Sequence, residues 1–277
     1  MPRMFIFGLG YTAGHLASRL EREGWEVVST GSAGTLSFGD EGNVRLALSD
    51  ADHVLSSVPP GSEGLDPVLD RYGDTLEGKA LSYLSSTGVY GDTGGAWVDE
   101  SAATGTGRRT ARAQADAAWL ARGARVYRLP GIYGPDRSVF ERIAEGRAHR
   151  IALPAQVFSR VHVADIVSGV IAGMKAPAGA YNLADDRPCS QNALVEEACR
   201  LLGVEPPPLQ SLEEANLSPR ARAFYAENRR VANGKAKRVL GWKPAYPDYV
   251  TGLRALRAIT SPAVASKAPA IARGDQR

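Results

Sequence analysis

Short apolar runs alternate along this chain with segments whose apolar residues recur at helical spacing. Met4–Phe7 is a run of strand length, and after Gly8-Leu9-Gly10 the segment His15–Leu20 puts Leu16, Ala17 and Leu20 on one helical face. Gly24 supplies a helix stop, and Glu26–Thr30 returns at once to strand character. Asp52–Val58 reads as a third strand ended by Pro59-Pro60-Gly61, and Ala80–Ser86 as a buried strand broken at Thr87-Gly88. Arg112–Arg122 has a helical pattern expected to turn Ala117, Leu120 and Ala121 inward, and Arg125–Leu129 is a strand stopped by Pro130-Gly131.

The second half changes character. Val163–Met174 is expected to be an apolar helix, Ala180–Leu183 a short strand, and Ser190–Leu202 a helix capped by Ser190 and ended by Gly203. Pro206-Pro207-Pro208 forbids regular structure, and Lys235–Leu240 reads as a short helix stopped by Gly241. Strands alternating with helices predict an α/β fold, a Rossmann-type doubly wound parallel sheet with a smaller C-terminal substrate lobe. Residues 1–135 and 161–185 would form the dinucleotide-binding part, and 136–160 and 186–260 the lobe. The tail 261–277, rich in Ala, Pro, Lys and Arg, has little to bury and is expected to be disordered.

Composition narrows the classes without choosing among them. With 277 residues and 44% hydrophobic content the chain can bury a large core. A net charge of +3 is too mild to argue for nucleic acid or a membrane surface, and no apolar run approaches the length of a membrane span. Two cysteines, Cys189 and Cys199, suggest reduced thiols and a cytoplasmic setting. The four histidines and two cysteines show no metal-ligand spacing.

The chemistry starts at the glycine turn. Gly8 permits a sharp turn after the first strand, Gly10 lets backbone approach a phosphate, and Ala13 or Gly14 allows close helix–strand packing. The helix start would then present its N–H groups to an anion. At the end of the fourth strand, Ser85-Ser86-Thr87 offers three hydroxyls, which could bind a substrate oxygen or simply satisfy a turn.

Five blocks occur in a telling order: the glycine turn, Ser85–Gly91, Arg128–Pro135, Arg160–Ile166 and Tyr181–Asp185. Together they resemble the extended short-chain dehydrogenase/reductases, the NAD(P)-dependent epimerase/dehydratase group, over residues 1–258. That resemblance implies a bound NAD(P) and catalysis by a Ser/Thr, a Tyr and a Lys. The hydroxyl falls on Ser86, but the Tyr and Lys positions fall on Arg108 and Arg112. Arginine stays protonated at any working pH and cannot replace the tyrosine as base. The pattern is that of the family's atypical members, and Asp66 matches an Asp they carry in place of a structural Asn.

The expected catalytic set is therefore Ser86, Tyr133, which matches a position lining the family's substrate cleft, and Arg112. Tyr90 and His162 are further candidates, His162 weighing more as a helix-start packing residue. Arg108, Arg109 and Arg112 read either as an anion fork or as a solvated basic helix start. Cofactor contacts are expected at Gly8, Gly10, Tyr11, Thr12, Ala13, Thr30, Ser57, Val58, Pro59, Ser85, Arg112, Leu129 and Pro130. The second strand ends Ser29-Thr30-Gly31-Ser32 without the acid that holds the NAD ribose, which favours NADP, with NAD as the alternative. The expected function is redox or epimerase/dehydratase-type chemistry on a small polar or nucleotide-linked substrate. The rival is a non-catalytic NADP(H) sensor or scaffold, raised by the lost tyrosine. Ala111, Ala113, Ala115, Ala117 and Ala118 would permit close packing in a homodimer.

Overall fold

The computed structural model describes residues 1–61, 65–107 and 110–260. The tail 261–277, expected to be disordered, and Arg108 and Arg109 of the expected basic helix start lie outside the described residues. Six strands form one sheet: β1 (Arg3–Phe7), β2 (Glu26–Ser29), β3 (His53–Ser56), β4 (Ala80–Ser86), β5 (Arg125–Leu129) and β6 (Gly179–Asn182). Their order is β6-β5-β4-β3-β1-β2 and every pairing is parallel; Phe5 in β1, for instance, lies opposite both Val28 and Val54. This is the expected Rossmann-type α/β sheet. The winding direction reverses at β1, so the carboxyl ends of β1 and β3 open the crevice where such sheets bind ligands. The sheet ends at β2. The stretch that follows makes one bridge, Thr30 with Leu36, and its glycines Gly31, Gly34 and Gly39 interrupt strand character.

The helices are α1 (Tyr11–Arg22), α2 (Glu41–Ser49), α3 (Pro67–Tyr72), α4 (Thr110–Ala121), α5 (Val139–Ala144), α6 (Val163–Gly173), α7 (Gln191–Leu202), α8 (Pro219–Phe224), α9 (Gly234–Leu240) and α10 (Tyr249–Thr260). They cover both faces, and β1 shows why the sheet needs two covers. Met4 and Ile6 point into a core with Leu16, Leu20, Val170 and Trp242, whereas Phe5 and Phe7 point into one with Val44, Leu48, Tyr72 and Trp119. Burying each such side chain contributes roughly 1.5–3 kcal/mol, so the unbroken apolar run Met4–Phe7 is what a two-faced strand requires.

One helix face differs from expectation. Ala117 and Ala121 of α4 are exposed, and Ala113, Ala115, Asp116 and Trp119 turn inward. Two interactions that the apolar pattern does not encode set this face. Trp119 stacks on Tyr83 at 5.4 Å with 10° between the rings, and Asp116 pairs with Arg128. The C-terminal lobe has its own core, built from α5, α7 and α10 around Val139, Leu194, Val195, Leu253 and Leu256. A short parallel pairing of Gly131–Tyr133 with Arg160–His162 leads into it from the end of β5.

Candidate active-site cleft

The glycine turn follows β1 directly. Gly8 has φ +83°, a conformation that favours glycine, and a Cβ there would lie 3.0 Å from the Val58 side chain. Its N–H donates to Thr30 Oγ1 at 3.2 Å, and Leu9 N–H donates to the Thr30 carbonyl at 2.8 Å. Thr30 is 1% exposed, so it acts from beneath the turn as its support. Gly10 caps α1 without any side-chain hydrogen bond, and the first turn of α1 contains no acid. The space beside Gly10 is open, whereas Ala13 is fully buried against the sheet. Ala13, rather than Gly14, therefore makes the close helix–strand packing. The result is an uncapped helix N-terminus facing open space, which suits a phosphate.

A cleft of about 400 Å³ lies over the carboxyl ends of the strands. It brings together Thr12 from the first turn of α1, Ser57 after β3, Ser85 and Ser86 from β4, Arg112 from α4, and Leu129 and Pro130 after β5. Gly8, Gly10, Tyr11, Ala13, Thr30, Val58 and Pro59, also expected at the cofactor, are not among the described residues that line it. Tyr11 is tied away, its hydroxyl donating to the Pro135 carbonyl at 2.8 Å.

The two neighbouring serines have different duties. Ser85 is buried, and its hydroxyl donates to Asp116 Oδ2 at 2.6 Å. Ser86 is half-buried; its Oγ accepts the Gly88 N–H at 3.1 Å and caps the tight turn Thr87–Tyr90. With that lone pair engaged, the Ser86 proton is directed to another acceptor. Arg112 lies along the cleft floor, Nη1 donating to the Tyr83 hydroxyl at 2.8 Å. Burial pushes that phenol up to about 12, even though the Arg112 guanidinium favours its ionised form.

A buried polar network holds this wall. Asp116 receives Arg128 through two hydrogen bonds, Nε at 3.1 Å and Nη2 at 2.7 Å. Arg128 Nη1 donates to the Tyr90 hydroxyl at 3.0 Å, and that hydroxyl donates to Asn182 Oδ1 at 2.8 Å. Tyr90 is thus a brace between the turn after Ser86 and the end of β6, and burial raises its pKa. Asp66 plays a similar part at the start of α3. Its carboxylate accepts from Val68 and Leu69 N–H at 3.0 and 3.1 Å and from the Trp119 indole at 2.9 Å.

Tyr133 is not brought to the cleft. Its ring packs into the lobe core beside His162, edge to face at 5.2 Å. The hydroxyl is buried against Gly252, so tightly that a Cβ on that glycine would meet it, and it has no hydrogen-bond partner among the described residues. Tyr133 is not among the described residues that line the cleft, and burial raises its pKa strongly. The expectation that Tyr133 joins Ser86 and Arg112 is thereby corrected.

His162 caps α6, Nδ1 accepting the Ala164 N–H at 3.2 Å, with its ring 4.0 Å from that of Tyr246. Burial lowers its pKa to about 4, so it is neutral at working pH and serves packing.

The cleft also holds two residues that sequence reasoning missed, Glu227 and Arg229. They form an ion pair at 2.9 Å with side chains 6% and 15% exposed. Arg229 also donates to the Gly91 carbonyl, joining the segment after α8 to the Ser86 wall. Among the described residues that line the cleft, Glu227 is the one carboxylate. Among the described residues no group of three or more His, Cys, Asp or Glu could hold a metal ion, and no helix is long and apolar enough to cross a membrane.

Comparison with known proteins places this architecture. No protein-family model matches the chain. Protein YeeZ of Escherichia coli is 26% identical over 287 residues, covering 90% of this chain and 97% of that protein. The 3-diazoavenalumate denitrifying reductase of a Streptomyces species is 31% identical over 140 residues, 46% of this chain and 45% of that enzyme. Among solved structures, human epimerase family protein SDR39U1 with NADPH superposes with a TM-score of 0.74 at 15% identity, covering 92% of this chain and 99% of that one. A conserved protein of unknown function from Silicibacter pomeroyi superposes with a TM-score of 0.83 at 37% identity, covering 94% of this chain and 99% of that one. The chain therefore belongs to one family with the Silicibacter pomeroyi protein, and its fold is that of the extended short-chain dehydrogenase/reductases.

Proposed function

We propose that the protein is an NAD(P)-dependent oxidoreductase or epimerase/dehydratase-type enzyme acting on a small polar or nucleotide-linked substrate. The observation that carries this reading is a juxtaposition. Thr12, in the first turn of an uncapped helix at a glycine turn, lines the same cleft as Ser86 and Arg112. The N–H groups at the α1 start would hold a dinucleotide pyrophosphate. NADP is favoured over NAD, because β2 ends without an acid and exposes the Ser32 hydroxyl. When bound, the nicotinamide supplies or accepts a hydride. Ser86 donates a hydrogen bond to the reacting substrate oxygen, and Glu227, held by Arg229, delivers or removes the proton there. Arg112 contributes fixed positive charge at the cleft floor. The reductase among the relatives and the NADPH of the human structure support this reading.

A second reading keeps the cofactor and drops the chemistry. Two observations favour a non-catalytic NADP(H) sensor: Arg108 stands at the tyrosine position, and no tyrosine is among the described residues lining the cleft. Titrations with NADPH and NADH, followed by a carbonyl-substrate screen read by nicotinamide absorbance, test both readings. Tighter binding of NADPH with turnover that falls in Ser86→Ala supports the enzyme. Binding without turnover of any carbonyl supports the sensor, and no binding of either nucleotide removes both.

A further inference from the structure

Three segments lie side by side where the lobe meets the sheet: Gly131–Tyr133 after β5, Arg160–His162 paired with it, and residues 185–189 after β6. Asp185 N–H donates to the Arg160 carbonyl at 2.7 Å, and Phe158 and Cys189 exchange backbone hydrogen bonds at 2.9 and 3.1 Å. The start of α10 closes the group. Asp186 N–H donates to the Pro247 carbonyl at 2.8 Å, and Gly252 presses on the Tyr133 hydroxyl. Among the described residues four buried side-chain polar atoms lack a hydrogen-bond partner, and all four lie on this seam: the Tyr133 hydroxyl, His162 Nε2 and both carboxylate oxygens of Asp185.

A carboxyl group buried to 2% exposure without a partner is costly to ionise. Burial, reinforced by the negative charges of Asp186 and Asp248, pushes the Asp185 carboxyl up to about 8, against the Arg160 guanidinium and the Arg187 amide. Arg160, 6% exposed, is the buried cation beside it, yet its donors are engaged elsewhere. Nη1 donates to the carbonyls of Phe158 and Cys189 and to Cys189 Sγ, each at 3.0 Å, and Nη2 to Gln191 Oε1 at 3.1 Å. These bonds tie the strand to the start of α7. Arg160 and Gln191 also wall a cavity of about 440 Å³ that shares Gly131, Ile132 and Arg137 with the cleft. Of the other groups around Asp185, burial keeps the Tyr133 phenol and the Cys189 thiol protonated, and the Arg187 guanidinium lies over the Tyr249 ring at 5.7 Å.

We propose that Asp185 operates a proton-controlled latch between the sheet and the lobe. With the carboxyl protonated, Arg160 holds Cys189 and Gln191, and α7 and α10 stay docked. When the proton leaves for solvent, Arg160 turns to the carboxylate and releases Cys189 and Gln191, and the cavity wall loosens together with α7 and α10. The closed form keeps the proton to about pH 8, and the open form, with its carboxyl solvated, gives it up sooner, so rising pH favours opening. The latch needs no nucleotide and is independent of the activity read from the cleft.

Hydrogen exchange of the nucleotide-free full chain, read by mass spectrometry at about pH 6.5 and about pH 9 and corrected for the intrinsic pH dependence, tests it. In wild type the amides of α7 and α10 should exchange about threefold or more faster at the higher pH, and those of α1 equally at both. Asp185→Asn keeps the shape of the protonated acid and should hold both helices at the slow rate throughout. Gln191→Leu removes an acceptor that competes for Arg160, so its opening should have its midpoint at lower pH than in wild type. Equal protection of α7 and α10 at both pH values in wild type, or a pH response that persists in Asp185→Asn, overturns the latch. Faster exchange everywhere, α1 included, would mean global loosening and overturns it too. If Asp185→Asn fails to fold, the wild-type comparison and the Gln191→Leu midpoint still decide, and an unchanged or higher midpoint counts against the latch.

Discussion

Replacing Asp116 by asparagine should loosen the wall that presents Ser86. The carboxylate is 1% exposed and accepts three hydrogen bonds, from Ser85 at 2.6 Å and from Arg128 at 2.7 and 3.1 Å. An amide keeps the shape but loses the charge, leaving the Arg128 guanidinium buried at 3% exposure without a counter-ion. One amide oxygen must also serve where two carboxylate oxygens did. Breaking a buried pair by removing one partner costs about 3–5 kcal/mol. For a chain of this size that corresponds to a fall in Tm of roughly 6–20 °C. Urea denaturation followed by circular dichroism gives the free energy, provided the transition stays two-state. The double variant Asp116→Leu/Arg128→Met should recover much of the loss, because it removes both charges at once. A loss below about 1 kcal/mol for Asp116→Asn would refute the reasoning, since it would mean that Arg128 finds solvent or another partner.

Two further outcomes follow from the site. His162 has its pKa lowered from 6.5 to about 4 by burial, so the unfolded chain takes up that proton first as pH falls. The stability it contributes is complete above pH 6.5 and is lost between 6.5 and about 4; His162→Gln should flatten that part of a stability-against-pH curve. Glu227→Gln should lower kcat by about a hundredfold or more while leaving the NADPH affinity near wild type, as measured by steady-state kinetics beside a binding titration. An unchanged kcat would remove Glu227 from the proton path.

Much of the fold was legible because strands buried on both faces read as apolar runs whatever their neighbours do. The glycine turn was legible for the same local reason, since positive φ at Gly8 and an uncapped Gly10 are written in the residue types. Ser86 was legible as a strand-end hydroxyl and Arg112 through the position of the family's Lys, and both line one cleft. What stayed hidden was direction and long-range pairing. Tyr133 sits in a strand of three residues, too short for alternation to say which way it points. The inward face of α4 depends on Arg128, which an apolar count ignores. Glu227 and Arg229 come from an irregular segment, and Arg229 meets Gly91 across 138 positions of sequence. No local pattern marks such a pair; only the folded chain brings it to the cleft.

If the start of α1 receives a dinucleotide pyrophosphate, Gly10→Asp should abolish nucleotide binding while sparing the fold. Gly10 has φ −88° and open space where a side chain would project, so the fold accommodates the replacement. Aspartate is also a favoured N-cap, so the Tm should hold or rise. Its carboxylate, however, would occupy the helix terminus and repel phosphate. Calorimetric titration with NADPH should show saturable binding to wild type and none to the variant at the same concentrations. Equal NADPH affinity in both proteins, with both folded, would rule out a pyrophosphate at the α1 start.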